Sequence, residues 1–175
     1  MIKKILPLVL LVVAVYITNQ LPSPTVKKLP LSKPTPVEQF MRKVALIESG
    51  GNHTVVNEFG MMGKYQFSPS TVRALGFKRD NKTFLHNSHL QDTVMVAYMK
   101  ANHHELKSYI DRYNGKTFKG IKITRAGILA GAHFAGSGGV IRYFKSDDPY
   151  GRTDARGTSV RKYMAYFSNF SLPEV

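Results

Sequence analysis

Residues 48–71 read ESGGNHTVVNEFGMMGKYQFSPST. An acid and a serine stand just before two glycines, so the stretch opens where a helix must stop. The residues that follow lack helical periodicity until Ser68, Pro69 and Ser70, which start another helix. The segment between is a loop or small hairpin with Val55, Val56 and Phe59 as its apolar anchors. Gly60 and Gly63 supply tight turns or a close approach of backbone to a ligand. Gln66 offers an amide donor and acceptor suited to sugar hydroxyls or an N-acetyl group. Tyr65 and Phe67 flank it, one a candidate stacking surface and the other directed inward.

The helix that delivers Glu48 starts at a legible signal. Thr35, Pro36, Val37 and Glu38 form a capping box with proline at the first helical position. Phe40, Val44 and Ile47 follow on one face, with Met41 and Ala45 beside them. Glu48 then lies in the last turn, on the edge of that apolar stripe. Apolar surroundings and the negative end of a helix both favour a neutral carboxylic acid, and such an acid can protonate a leaving oxygen.

In pattern form the stretch is E-S-x-x-N-x-x-x-x-N-x-x-G-x-x-G-x-x-Q-x-x-P-x-T. It resembles the signature of the lytic transglycosylases of the lysozyme-like superfamily. Glu48, Ser49, Asn52, Gly60, Gly63, Gln66, Pro69 and Thr71 fall on pattern positions. Two later blocks stand in the family's order. Residues 132–140, AHFAGSGGV, resemble a segment that usually reads A-Y-N-A-G-P-G-x-V. His133 replaces its tyrosine and Phe134 replaces an asparagine that is polar and lines the cleft. Arg161, Lys162 and Tyr163 resemble a late R-x-Y motif whose tyrosine lies near the catalytic glutamate.

The resemblance covers residues 36–170 and implies an α+β, mainly α, lysozyme-like domain with a small β-hairpin region. It implies Glu48 as the single catalytic acid and base. Ser49, Gly63, Tyr65, Gln66, Phe67, His133, Phe134 and Tyr163 become substrate-binding candidates. The reaction implied is cleavage of the β-1,4 bond between N-acetylmuramic acid and N-acetylglucosamine in peptidoglycan. It leaves 1,6-anhydro ends and uses no metal and no organic cofactor. A hydrolase on the same fold normally needs a second carboxylate, for which Glu58 and Asp92 are nearest in sequence. A non-catalytic glycan-binding or assembly protein is the other alternative, and Phe134 is its best argument.

The remainder of the chain is read for organisation. At 175 residues it holds one domain plus extensions. No cysteine is present, which removes disulfides and thiolate metal sites. The net charge of +14 attracts polyanions such as nucleic acid, anionic lipid or envelope polymers. Basic residues are spread along the chain and no nucleic-acid recognition motif occurs, so nucleic acid is not the expected partner.

Residues 1–18 pair Lys3 and Lys4 with an apolar run from Ile5. This is the pattern of a signal anchor or signal peptide, and it predicts an exported domain held at the membrane, in the cell envelope or, for a virus, the virion. An envelope-spanning or virion machine is the kind of assembly such a domain serves. Residues 19–35 carry Pro22, Pro24, Pro30 and Pro34 and form an extended linker. Residues 36–172 make the domain.

Within the domain, residues 77–87 read as polar and broken, and His86 and His89 have no third ligand in register for a metal. Leu90, Val94, Ala97, Tyr98, Ala101, Leu106 and Ile110 recur at helical spacing over one long helix or two in succession. Residues 113–124 predict a short hairpin. Thr124 then caps a helix to about Ala135. Gly127, Gly131 and Ala135 leave one face of it bare, so another helix packs close there. Residues 146–157 are a loop by composition. Asp147, Asp148 and Asp154 in it fit no calcium-loop spacing. Val160, Tyr163, Met164 and Phe167 share one face of the last helix.

Overall fold

The computed structural model describes residues 32–78, 80–153 and 157–173. The chain divides into two units, Met1–Lys33 and Pro34–Val175. The second holds all of the described helices and strands. The expected signal segment and most of the proline-rich linker lie outside the described residues. No described helix is long and apolar enough to cross a membrane.

Helix α1, Pro36–Ser49, begins as its sequence dictates. The Thr35 hydroxyl accepts from the Glu38 amide, and the Glu38 carboxylate accepts from the Thr35 amide at 2.7 Å. Both bonds hold backbone donors that the first turn cannot satisfy internally. Gly50, with φ at 64°, ends the helix in the left-handed region, which costs a glycine nothing. Phe40, Met41, Val44 and Ala45 are buried, whereas Ile47 is 44% exposed. The buried stripe therefore runs through Met41 and Ala45, not out to Ile47.

The loop that follows is held by single bridges, Val56 with Met62 and Met62 with Phe67. It leads into α2, Pro69–Ala74, capped by the Ser68 hydroxyl. Residues 81–85 form a further short helix, α3, Asn81–Leu85, where a broken segment was expected. Asp80 caps it by accepting from the Thr83 amide, and Phe84 anchors it in the core. The long amphipathic stretch is two helices. α4 is Ser88–Glu105 and α5 is Lys107–Tyr113, with buried Leu106 between them.

Two short strands, β1 at Thr117–Phe118 and β2 at Ile121–Lys122, pair antiparallel as a hairpin. α6, Arg125–Lys145, is capped by Thr124 and broken at Gly136, whose φ is 71°. The sequence placed a helix end at this point. The chain instead resumes helical geometry and buries Val140, Tyr143 and Phe144. α7 is Val160–Tyr166. The domain is thus mainly helical with one small antiparallel sheet.

Apolar side chains gather in two clusters. One joins α1, the 62–67 turn, α4 and Phe167. The other joins the hairpin, α5, the second half of α6 and Met164. Phe134 packs against both. The glycine face of α6 meets α7. A Cβ added to Gly127 would lie 2.6 Å from the Met164 carbonyl oxygen, and one at Gly131 would lie 2.8 Å from Met164 Cγ. The close partner that the sequence called for is therefore the last helix.

Candidate functional site

Glu48, His133, Phe134 and Tyr163 come from three different helices and meet at one place. α1 presents Glu48 in its last turn, two residues before its glycine stop. α7 presents Tyr163, whose hydroxyl donates to Glu48 Oε1 at 2.7 Å. α6 presents His133, with Nε2 at 3.6 Å from the same oxygen. Phe134, the next residue, stacks on the Tyr163 ring at 5.2 Å and 20°. The three blocks of the sequence pattern thus supply one cluster.

Burial sets the protonation states around the acid. It pushes the Tyr163 hydroxyl well above the usual phenol range, and the Glu48 charge pushes it further. Tyr163 is therefore a fixed donor and not a base. Burial pushes the His133 imidazole below its usual range, against the pull of the Glu48 carboxylate and of the Tyr65 backbone. At 3.6 Å from Glu48, with a neutral ring, His133 makes neither a hydrogen bond nor an ion pair. Its Nδ1 has no well-formed hydrogen bond among the described residues. Phe67 and Tyr98 close around the ring edge-on, at 5.6 and 5.8 Å.

A cleft of about 480 Å³ opens in front of this cluster. Glu48, Asn57, Gln66, Thr71, Tyr98, His133, Phe134 and Arg152 line it, with Met61, Phe67, Ser68, Ala135 and Gly136. A larger hollow, about 740 Å³, lies against α1 and α4 and does not include Glu48. Three of its polar residues are committed to each other: Asp92 accepts from the Tyr65 hydroxyl at 2.6 Å and pairs with Lys64 at 2.8 Å. The smaller cleft is the one onto which the cluster of Glu48, His133 and Phe134 opens.

This division sorts the candidates. Gln66, Phe67, His133 and Phe134 line the cleft with Glu48. Gln66 is fixed there by a left-handed backbone, φ 52°, and by its amide donating to the Gly63 carbonyl at 2.8 Å. Phe67 and the His133 side chain are only 3% and 5% exposed, so they shape the wall from behind. Tyr65 is 2% exposed and belongs to the other hollow, so it offers no stacking face.

Ser49 and Gly63 hold the loop and do not line the cleft. The Ser49 hydroxyl donates to the Lys64 carbonyl at 2.9 Å. Gly63 has φ 72° and backs onto the Gln91 side chain, which leaves no room for a Cβ. Asp92 and Glu58, the two candidate second carboxylates, are absent from the cleft lining. Among the described residues no three His, Cys, Asp or Glu side chains gather as a metal site.

Four contributors escaped the sequence reading. Gln91, fully buried, donates to the carbonyls of His53 and Phe84 and accepts from the Lys64 amide. It ties the glycine loop to α4, and only its polar character on a buried face marks it in sequence. Tyr98 read as core, yet it lines the cleft while its hydroxyl donates to the Ala132 carbonyl. Lys119 donates to the carbonyls of Tyr143, Ser146 and Asp148, capping α6 and holding the loop beyond it. Arg152 enters the cleft from that same loop.

Comparison of the chain with family models, curated proteins and solved structures returned no match.

Proposed function

We propose that the domain is a lysozyme-like lytic transglycosylase that cuts peptidoglycan glycan strands with Glu48 as its one acid and base. The observation that carries this reading is the cleft itself: Glu48 is the sole carboxylate lining it among the described residues. Hydrolysis with two carboxylates has no second group there, whereas intramolecular transfer needs only one. Glu48 protonates the glycosidic oxygen between N-acetylmuramic acid and N-acetylglucosamine. The acetamido carbonyl of the substrate supports the cationic centre. The resulting carboxylate then takes the proton of the muramoyl 6-hydroxyl, whose oxygen closes on C1 to give the 1,6-anhydro ring.

In this scheme Tyr163 holds Glu48 Oε1 by a donated hydrogen bond, leaving the other carboxyl oxygen to face the cleft. His133, neutral and buried, packs beside the acid without competing for the proton. Gln66 presents its amide to the sugar. The reaction calls on no metal and no organic cofactor. The signal-anchor or signal-peptide pattern of residues 1–18 supports export of the domain to the side of the membrane where the wall is.

Phe134 supports a second reading, glycan binding without cleavage. It fills the family's asparagine position with a ring stacked on Tyr163, which removes a polar group from the wall. One experiment separates the two. Purified wall is incubated with the protein and the soluble products are analysed by mass spectrometry. Anhydro-muropeptides are the expected result. Reducing ends in their place indicate hydrolysis, and binding without release of either product indicates the non-catalytic reading.

A further inference from the structure

We infer that Arg152 reads a carboxylate carried on the side branch of the glycan, and so selects muramoyl strands over uncharged glycans of the same backbone. The inference rests on the muralytic reading above and names a residue which that reading left without a role. Arg152 is the one permanent cation lining the cleft among the described residues, since burial keeps His133 neutral. A strand bearing carboxylates is drawn to a cation placed in the cleft it occupies. Among the described residues Arg152 has no carboxylate partner. A planar guanidinium fork binds carboxylates by paired, charge-assisted hydrogen bonds.

Although the side chain is exposed, the backbone beneath it is not free. The Val160 amide donates to the Arg152 carbonyl at 3.0 Å, and the Arg161 amide donates to the Tyr150 carbonyl at 3.0 Å. Thr153 bridges to Ser159. Gly151, φ 73°, lies so close to Tyr143 and Val160 that a Cβ would meet both at 3.1 Å. Upstream, Lys119 grips the Ser146 and Asp148 carbonyls. The segment is thus fastened to the start of α7, the helix that carries Tyr163 to Glu48. Arg152 and the tyrosine that holds the acid are thus positioned by one element, and rigid placement of that kind is what a specificity contact requires.

The carboxylate has two sources in wall: the lactyl group of peptide-free strands and the stem peptide of intact strands. Binding is measured with the full chain carrying Glu48→Gln, so that nothing is cleaved, with and without Arg152→Gln. The ligands are peptide-free strands, peptide-bearing strands, and peptide-free strands whose carboxyls have been reduced to alcohols. Arg152→Gln is expected to weaken binding of at least one carboxylate-bearing strand by about tenfold or more, the loss of a charge-assisted pair. It leaves the reduced strand unchanged, so reduction and mutation are not additive. Whichever strand responds identifies the carboxylate. Equal weakening of all three ligands, or none, overturns the role of Arg152 alone. If Glu48→Gln binds no strand and the unmutated chain releases nothing from wall, the muralytic reading fails with it.

Discussion

The Tyr163 hydroxyl reaches Glu48 Oε1 at 2.7 Å across 115 positions of sequence. A phenol that burial and a facing carboxylate hold protonated can only donate here. It fixes one oxygen of the acid, and in the proposed reaction proton transfer falls to the other.

Glu48→Gln and Tyr163→Phe should therefore differ in degree. The glutamine is nearly isosteric but has no transferable proton. General acid–base catalysis contributes about 10²–10⁴-fold, and in the proposed mechanism one residue serves both transfers, so the loss should lie at the upper end. Tyr163→Phe keeps the ring that stacks on Phe134 and loses only the positioning bond, worth about 10–100-fold. Initial rates of anhydro-muropeptide release check this order. A Glu48→Gln protein that digests wall as fast as the parent rules the mechanism out.

His133 gives a pH-dependent stability. Its folded pKa is depressed by burial below the ordinary 6.5, so between the two values the unfolded chain binds more protons than the folded one. Stability is then fully present above about pH 6.5 and falls as the pH drops towards the folded value. His133→Phe removes the titration, and the urea midpoint between pH 5 and pH 7.5 should become flatter. The same slope in both proteins would assign the acid limb to other groups.

Where a local signal was strong, the sequence could be read closely. Thr35 and Glu38 announce the start of α1, Gly50 its end, and Val160, Tyr163, Met164 and Phe167 the buried face of α7. The glycine face of α6 also spoke for a close neighbour. What could not be read depends on contacts distant in sequence. Nothing near Tyr65 says that its hydroxyl belongs to Asp92 and hence to the other hollow. Nothing near Gly136 says that the helix resumes, because Tyr143 and Phe144 acquire their reason to be helical only against the hairpin and α5. Arg152 is one basic residue among many until the loop is seen fastened to α7.

Gln91 should be the most sensitive position remote from the acid. Its amide serves His53, Phe84 and Lys64 together, and it is fully buried. Gln91→Leu keeps much of the volume but strands two carbonyls and one amide, each worth about 1–3 kcal/mol if buried and unpaired. Partial relaxation makes a total near 2–4 kcal/mol the expectation. Thermal unfolding and proteolysis of the 52–63 loop measure it. Gly63→Ala should act in the same direction, because its Cβ would run into the Gln91 side chain at a left-handed backbone. Unchanged stability in both variants would mean the loop does not need this anchor.

The two helix glycines facing α7 should not respond alike. Alanine is worth about 1 kcal/mol over glycine inside a helix, so each replacement begins with a gain. At Gly131 the nearest obstacle is Met164 Cγ at 2.8 Å, part of a flexible side chain that can turn aside. Gly131→Ala should be close to neutral. At Gly127 the obstacle is the Met164 carbonyl oxygen at 2.6 Å, and backbone cannot yield without moving α7. Overpacking of that kind costs about 1–3 kcal/mol, more than the helical gain. It also shifts the helix that carries Tyr163, one residue before Met164, away from Glu48. Gly127→Ala should then lower both Tm and the rate of strand cleavage, while Gly131→Ala lowers neither. Equal effects at the two positions would show that the α6–α7 contact is softer than the distances imply.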